Sequence, residues 1–135
     1  MISGSVQSSI VTVSFGSNHG DRVRNVAAAI SWFETVATEC RVSSIYETPE
    51  VNGHGAPYMN AVASGCTNLD YCALNRLAKD FEVECGRDAD CRKRGVVPID
   101  IDIVIWKSET LRPLDFSREF FQIGYREILP AACNL

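Results

Sequence analysis

The sequence predicts a mixed α/β domain of the α+β kind, a split βαβ arrangement in which an antiparallel sheet carries both of its helices on one face. Three observations predict it. Strand-period and helix-period segments follow in the order β, α, β, β, α, β; each helical segment has a single apolar stripe; and the length of 135 residues is that of one domain. At this length roughly two-thirds of the unfolded chain's surface is buried on folding, so the core needs no disulfide or metal staple.

Ile10 to Phe15 opens the series, with Val11, Val13 and Phe15 alternating against Ile10, Thr12 and Ser14. Gly16 stops it, and Ser17 to Gly20 supply turn and capping groups. Asp21 to about Ala37 then carries Val23, Val26, Ala27, Ile30 and Phe33 at helical spacing. Arg41 to Tyr46 reads as the second strand. Glu47 to Pro57 is a Pro/Gly-rich loop of the kind that often holds function. Tyr58 to Cys66 is the third strand. Asn68 or Asp70 caps a helix through Glu84, whose Leu74, Leu77, Ala78 and Phe81 form its stripe before Gly86 ends it. Arg87 to Val97 is polar and basic without a clear period. Pro98 precedes Ile99 to Trp106, the strongest strand in the sequence. Beyond it, Ser117 to Ile128 reads as a short helix interrupted near Gly124.

Thirteen basic against seventeen acidic residues give a net charge of -4, which argues against a chain that coats nucleic acid or an anionic membrane. No apolar run approaches the ~20 residues that cross a bilayer, and residues 1–9 lack the pattern of a secretory signal. The expectation is a cytoplasmic protein with one domain over residues 1–135, residues 1–9 flexible, and no membrane partner; its oligomeric state is left open. Cys40, Cys66, Cys72, Cys85, Cys91 and Cys133 form no C-x-x-C pair and His19 and His54 are isolated, so reduced, mostly buried thiols are expected rather than zinc ligands.

Asp100 and Asp102 alternate with Ile99, Ile101, Ile103 and Ile105, so both carboxylates share one face of a strand, with α-carbons roughly 6.5 to 7 Å apart. Unpaired, they would repel; one or two Mg²⁺ ions bound with water and phosphate oxygens would relieve the repulsion. A solvated strand face is the competing reading. Arg87, Arg92, Lys93 and Arg94 lie just upstream, and cations beside a divalent metal site suit a nucleotide triphosphate. Tyr58 and Asn60, two apart on one strand after the Thr48-Pro49 loop, could clamp a flat heterocycle with donor and acceptor edges. Glu82, at the end of its helix, is either a surface charge or a ligand contact.

With these pieces in place, the chain resembles the 6-hydroxymethyl-7,8-dihydropterin pyrophosphokinase family from about Val11 to Trp106. The resemblance rests on Phe15-Gly16-Ser17-Asn18, Ser44 to Pro49, Tyr58 to Val62, Glu82 to Arg87 and Pro98 to Ile103, in order and at compatible spacings. It implies a ferredoxin-like fold and transfer of pyrophosphate from ATP, the co-substrate, to a pterin. Asp100 and Asp102 are then the ligands of two Mg²⁺ ions and, with Arg87, the catalytic group. Tyr58, Asn60, Thr48 and Pro49 would hold the pterin, and Glu82, Arg87, Arg92, Arg94 and Ile103 would line the nucleotide.

The chain departs from the family pattern where Trp-Gly-Pro-Arg becomes Arg94-Gly95-Val96-Val97, where an arginine becomes Ala89, and where the Pro-His signature is absent from Leu111 to Phe116. Residues 107–135 are divergent and short. Arg92, Arg94, Arg112 and Arg118 are candidates for the missing cations, and Phe120, Phe121 and Tyr125 for a second aromatic wall. Alternatives are a homologue that binds a pterin or nucleotide without efficient transfer, and a phosphotransferase with another acceptor. An RNA-binding module is disfavoured because the aromatic-rich central strand is missing.

Overall fold

In the computed structural model, which describes residues 8–129, strand β1 (Ser9–Ser17) lies at the centre of a six-stranded antiparallel sheet. Helix α1 (Arg22–Val36) leads to β2 (Thr38–Val42) and β3 (Tyr46–Thr48). They are followed by β4 (Tyr58–Thr67), α2 (Tyr71–Glu84), a short α3 (Ala89–Arg94), β5 (Asp100–Trp106), β6 (Glu109–Thr110), α4 (Pro113–Ser117) and α5 (Glu119–Ile128). The order across the sheet is β2-β4-β1-β5-β6, with β3 also paired to β4. β4 thus lies between the two strands that α1 joins, which is the split βαβ crossing the sequence predicts.

The strand alternation builds the core. Val11, Val13 and Phe15 of β1, Ala61 and Ala63 of β4, and Ile99, Ile101 and Ile103 meet Val26, Ala29 and Phe33 of α1 and Leu74 and Ala78 of α2. Trp32 and Phe81 stack between the two helices at 5.6 Å. Val23 and Leu77 sit at the rims of their stripes, 47% and 39% exposed. Both α1 and α2 have an aspartate cap: Asp21 accepts from the Arg24 amide, and Asp70, rather than Asn68, accepts from that of Ala73.

A third helix lies where the sequence left the architecture open. Val62, which faces away from Ala61 and Ala63, packs with Val104, Phe121 and Ile128, so α5 covers part of the opposite face. The predicted interruption at Gly124 is instead a close approach. Its helix is continuous, and a Cβ there would meet Tyr46 Oη at 2.8 Å, Ser43 Oγ at 2.9 Å and Val62 Cγ2 at 2.9 Å. The Tyr46 hydroxyl donates to the Phe120 carbonyl at 2.5 Å and accepts from the Gly124 amide at 3.0 Å, two groups that a regular helix pairs with each other. Burial pushes this phenol up to about 12. Gly124→Ala therefore overpacks the seam between β4 and α5 and is expected to cost about 1–3 kcal/mol, measurable as a lower urea midpoint at unchanged slope.

Other expectations need correction. The predicted strand 41–46 breaks after Val42, because Ser43 exchanges bonds with the Val62 backbone and the Ser44 amide and hydroxyl both donate to Glu127, at 2.8 and 2.9 Å. The basic segment 87–97 holds α3, whose six residues are too few to show a period; Asp88 caps it and Gly95 ends it at a φ of 67°. Ile105 leaves the isoleucine face: a bulge between Thr12 and Val13 in the pairing makes Val104 an extra residue on β5, and Ile105 joins the cluster under α5. Ser9, expected to be flexible, pairs with Thr67; residues 1–7 and Cys133 lie outside the described residues. Cys40, Cys66, Cys72, Cys85 and Cys91 are unpaired as expected, yet of these only Cys91 is buried and Cys72, in the first turn of α2, is exposed. No described helix is long and apolar enough to cross a membrane.

Candidate active site

Two clefts meet at Tyr58. The first, of about 220 Å³, is bounded by Thr48, Pro49, Glu50, Tyr58, Asn60, Asp100, Asp102, Arg112, Asp115 and Phe120. The second, of about 690 Å³, is bounded by Tyr58, Lys79, Glu82, Arg87, Arg92 and the backbone from Gly95 to Val97, among others.

The sheet register assembles the first cleft. Gly16 of β1 lies opposite both Asn60 of β4 and Asp100 of β5, and a Cβ on it would stand 3.3 Å from the Tyr58 ring and 3.6 Å from Asn60 Oδ1. Gly16 is thus what lets the ring lie across the strand. Asn60 is buried, with its Nδ2 spent on Thr48 Oγ1 at 2.8 Å and on the Tyr46 and Tyr58 carbonyls at 3.3 Å. That leaves Oδ1 as the group it can offer a ligand. Of the three aromatic candidates for a second wall, all on α5, only Phe120 reaches the cleft; Phe121 and Tyr125 pack against Phe116 and into the cluster with Val62.

Asp100 and Asp102 project into this cleft while Ile101 and Ile103 enter the core, as the alternation predicts. Arg87 Nη1 lies 2.9 Å from Asp100 Oδ1. Lys79 Nζ and Arg112 Nη1 approach Asp102 Oδ1 at 3.6 and 4.0 Å. The different surroundings of the two carboxyls push their titrations apart. Against the effect of burial, Asp102 and the Arg87 guanidinium beside it hold Asp100 below the usual carboxylate range, whereas burial, then the Asp100 charge, raises Asp102 to about 7. Burial, with the charges of Asp100 and Glu50, also raises the Tyr58 phenol.

The raised Asp102 carries a stability consequence. Between about pH 4 and 7 the unfolded chain has released this proton while the fold retains it, so the contribution is complete below the unfolded pKa and is lost as pH rises through the folded one. The lowered Asp100 acts in a separate window, below about pH 4. The unfolding temperature of metal-free protein should therefore be higher at pH 6 than at pH 8, and Asp102→Asn should flatten that slope; an unchanged slope in the variant would remove the assignment.

Such a pair suits a divalent oxygen-seeking cation. No group of three or more His, Cys, Asp or Glu side chains with metal-ligand geometry occurs among the described residues. The two carboxylates match Mg²⁺, which is held by one or two protein carboxylates and completes its shell with water and phosphate oxygens.

Glu82 and Lys79 do work at the free edge of β5 that sequence reasoning missed. Glu82 is 5% exposed. Its Oε2 accepts from the Ile101 amide at 2.7 Å and from Lys79 Nζ at 3.0 Å, and its Oε1 lies 3.1 Å from Arg87. Lys79 also donates to the Ile101 carbonyl at 2.8 Å. The two side chains thus satisfy the strand where a neighbour would pair. Asn18 acts similarly for the second cleft: it exchanges bonds with Val97 at 2.6 and 2.9 Å and ties segment 95–97 to β1.

Of the expected nucleotide residues, Arg87, Arg92 and Glu82 border the second cleft. Arg94 does not; it is exposed, paired with Asp90 at 2.8 Å on the next helical turn. The Ile103 side chain lies in the core. Ala89 and Val97 present apolar groups to this cleft, and Arg118 borders a separate groove beside Glu47 and Glu119.

A family model described as 7,8-dihydro-6-hydroxymethylpterin-pyrophosphokinase (HPPK) matches residues 12–130. The chain is 32% identical, over 89% of its length and 80% of the relative's, to an Aquifex aeolicus protein named 2-amino-4-hydroxy-6-hydroxymethyldihydropteridine pyrophosphokinase. It is also 32% identical, over 71% of its length, to a folate synthesis bifunctional protein of Arabidopsis thaliana, and 27% identical, over 90%, to a folic acid synthesis protein of Dictyostelium discoideum. It spans a fifth of each of these two longer proteins (20%).

Proposed function

Because this chain belongs to the 7,8-dihydro-6-hydroxymethylpterin-pyrophosphokinase family, we propose that its clefts hold the two substrates of a pyrophosphoryl transfer: 6-hydroxymethyl-7,8-dihydropterin in the first and ATP in the second. The observation that carries this reading is the placement of the Asp100–Asp102 pair and Arg87 at the junction of the two clefts, beside Tyr58.

In the first cleft Tyr58 and Phe120 supply apolar planes for the pterin, Asn60 Oδ1 accepts from its donor edge, and Thr48 and Pro49 close the pocket. In the second, Arg87 and Arg92 meet the triphosphate. Glu82 serves the nucleotide indirectly, by holding Arg87, and Ile103 can do so only through its backbone. Arg94 has no part in this arrangement.

Asp100 and Asp102 would hold Mg²⁺, two ions by the family resemblance, which when bound neutralises phosphate charge and orients the reacting oxygens. The pterin hydroxymethyl oxygen bonds to the β-phosphorus of ATP, the bond from that phosphorus to the α,β-bridging oxygen breaks, AMP leaves with that oxygen, and the hydroxyl proton is released. No side chain forms a covalent bond; positioning and charge stabilisation lower the barrier. The unpaired cysteines suit a reducing compartment, which supports a cytoplasmic location.

Mass spectrometry of the pterin after incubation with the protein, ATP and Mg²⁺ tests the reading. The expected product carries two added phosphoryl groups. A pterin with one added phosphoryl group would make the chain a different phosphotransferase, and unaltered pterin that nevertheless binds would make it a binding homologue.

A further inference from the structure

We propose that Arg112 is the cation of this chain that contacts the transferred pyrophosphoryl group from the acceptor side. The inference rests on the functional reading above and names a residue that reading does not use.

The charge around the first cleft points to Arg112. Glu50, Asp100, Asp102 and Asp115 border it, and Arg112 is the one cation among its described lining residues. A phosphate group that enters there meets four carboxylates and needs a counter-charge beyond what the second cleft provides. The other basic side chains around the two clefts face elsewhere, Arg92 into the second cleft alone. Arg87 Nη1 is shared by Glu82, Asp100 and the Ile99 carbonyl. Lys79 faces Glu82, the Ile101 carbonyl and Asp102. Arg94 is turned to Asp90, and Arg118 borders the neighbouring groove.

Arg112 is both held and available. Its Nε donates to Asp115 Oδ2 at 2.5 Å, which fixes the plane of the guanidinium, and its Nη1 stands 4.0 Å from Asp102 Oδ1, at the carboxylate pair itself. The side chain is 48% exposed, so it remains open to a ligand. The fold supports this placement: Arg112 precedes α4, its carbonyl accepts from the Phe116 amide, and α4 packs on α5, whose position Tyr46 and Ser44 set from the sheet. A guanidinium fork can give two parallel bonds to phosphate oxygens where an ammonium gives a point charge.

Two measurements test it. Arg112→Ala should lower kcat by about a hundredfold, the scale for loss of one charge-stabilising donor, with a smaller change in the KM for the pterin. Arg112→Lys should recover part of the loss. A kcat for Arg112→Ala within about twofold of wild type would overturn the proposal. Calorimetric titration with inorganic pyrophosphate and Mg²⁺ reads the contact without turnover: Arg112→Ala should weaken binding about tenfold, the scale of one charge-assisted contact, and equal affinity would overturn the proposal. A wild-type protein that forms no AMP would count against the functional reading alone, because the pyrophosphate titration still decides Arg112. Melting temperatures close to wild type are expected for both variants, since the side chain is half exposed.

Discussion

Alanine at Asp102 or Asp100 is expected to lower pterin-dependent AMP formation by roughly a thousandfold or more, at the upper end of what removal of a single charge-stabilising group costs. Each carboxylate supplies half of the proposed Mg²⁺ site, so neither can cover for the other. Stability should move the opposite way at Asp102. Burial and the Asp100 charge disfavour its ionised form, so Asp102→Asn should hold or raise the unfolding temperature at pH 8 while activity collapses. Loss of activity together with loss of fold would instead make the pair structural. Side-by-side calorimetric melting and AMP assays on D100A, D102A and D102N decide between the two.

Glu82→Ala is expected to destabilise the fold more than any other single change near the clefts. It leaves the buried Ile101 amide without a partner and removes the counter-charge of Arg87 and Lys79. Breaking a buried pair from one side costs 3–5 kcal/mol when the partner is fully enclosed. Arg87 and Lys79 keep 34% and 43% of their side-chain exposure, which screens them. The low end, about 3 kcal/mol, is therefore appropriate, and for a chain of this size it lowers the melting temperature by roughly 10 °C. Glu82→Gln retains an acceptor for the amide and should lose about half as much. Melting temperatures within about 2 °C of wild type for the alanine variant would show that the edge of β5 is satisfied some other way.

The sheet and its first two helices were legible because their apolar positions recur at periods of two and 3.6 on elements long enough to show them, as in Val11-Val13-Phe15 and Leu74-Ala78. The carboxylate pair was legible for the same reason: two aspartates in an isoleucine strand have only one face to occupy. What stayed hidden depends on single bonds across long separations. Nothing local announces that the Tyr46 hydroxyl enters the turn between Phe120 and Gly124, so Gly124 reads as a helix breaker when it marks a close approach. Ser43 and Ser44 read as strand, although their hydroxyl groups end the strand by bonding Val62 and Glu127. Glu82 and Lys79 look like a solvated helical pair at i, i+3, because the free edge they satisfy belongs to a strand about twenty residues on. Arg94 and Arg112 show the limit of charge counting: both are arginines near the aspartates in sequence, but only the second faces them.

Pyrophosphoryl transfer is proposed to take place at the Asp100–Asp102 pair, between a heterocycle pocket and a nucleotide cleft. Its most direct test is the nucleotide product formed from ATP and Mg²⁺ with and without 6-hydroxymethyl-7,8-dihydropterin, for the wild type and for Asp100→Asn/Asp102→Asn. The expected product is AMP that depends on the pterin and disappears in the double variant while pterin binding persists. ADP as the product, or AMP at an equal rate from the double variant, would contradict it.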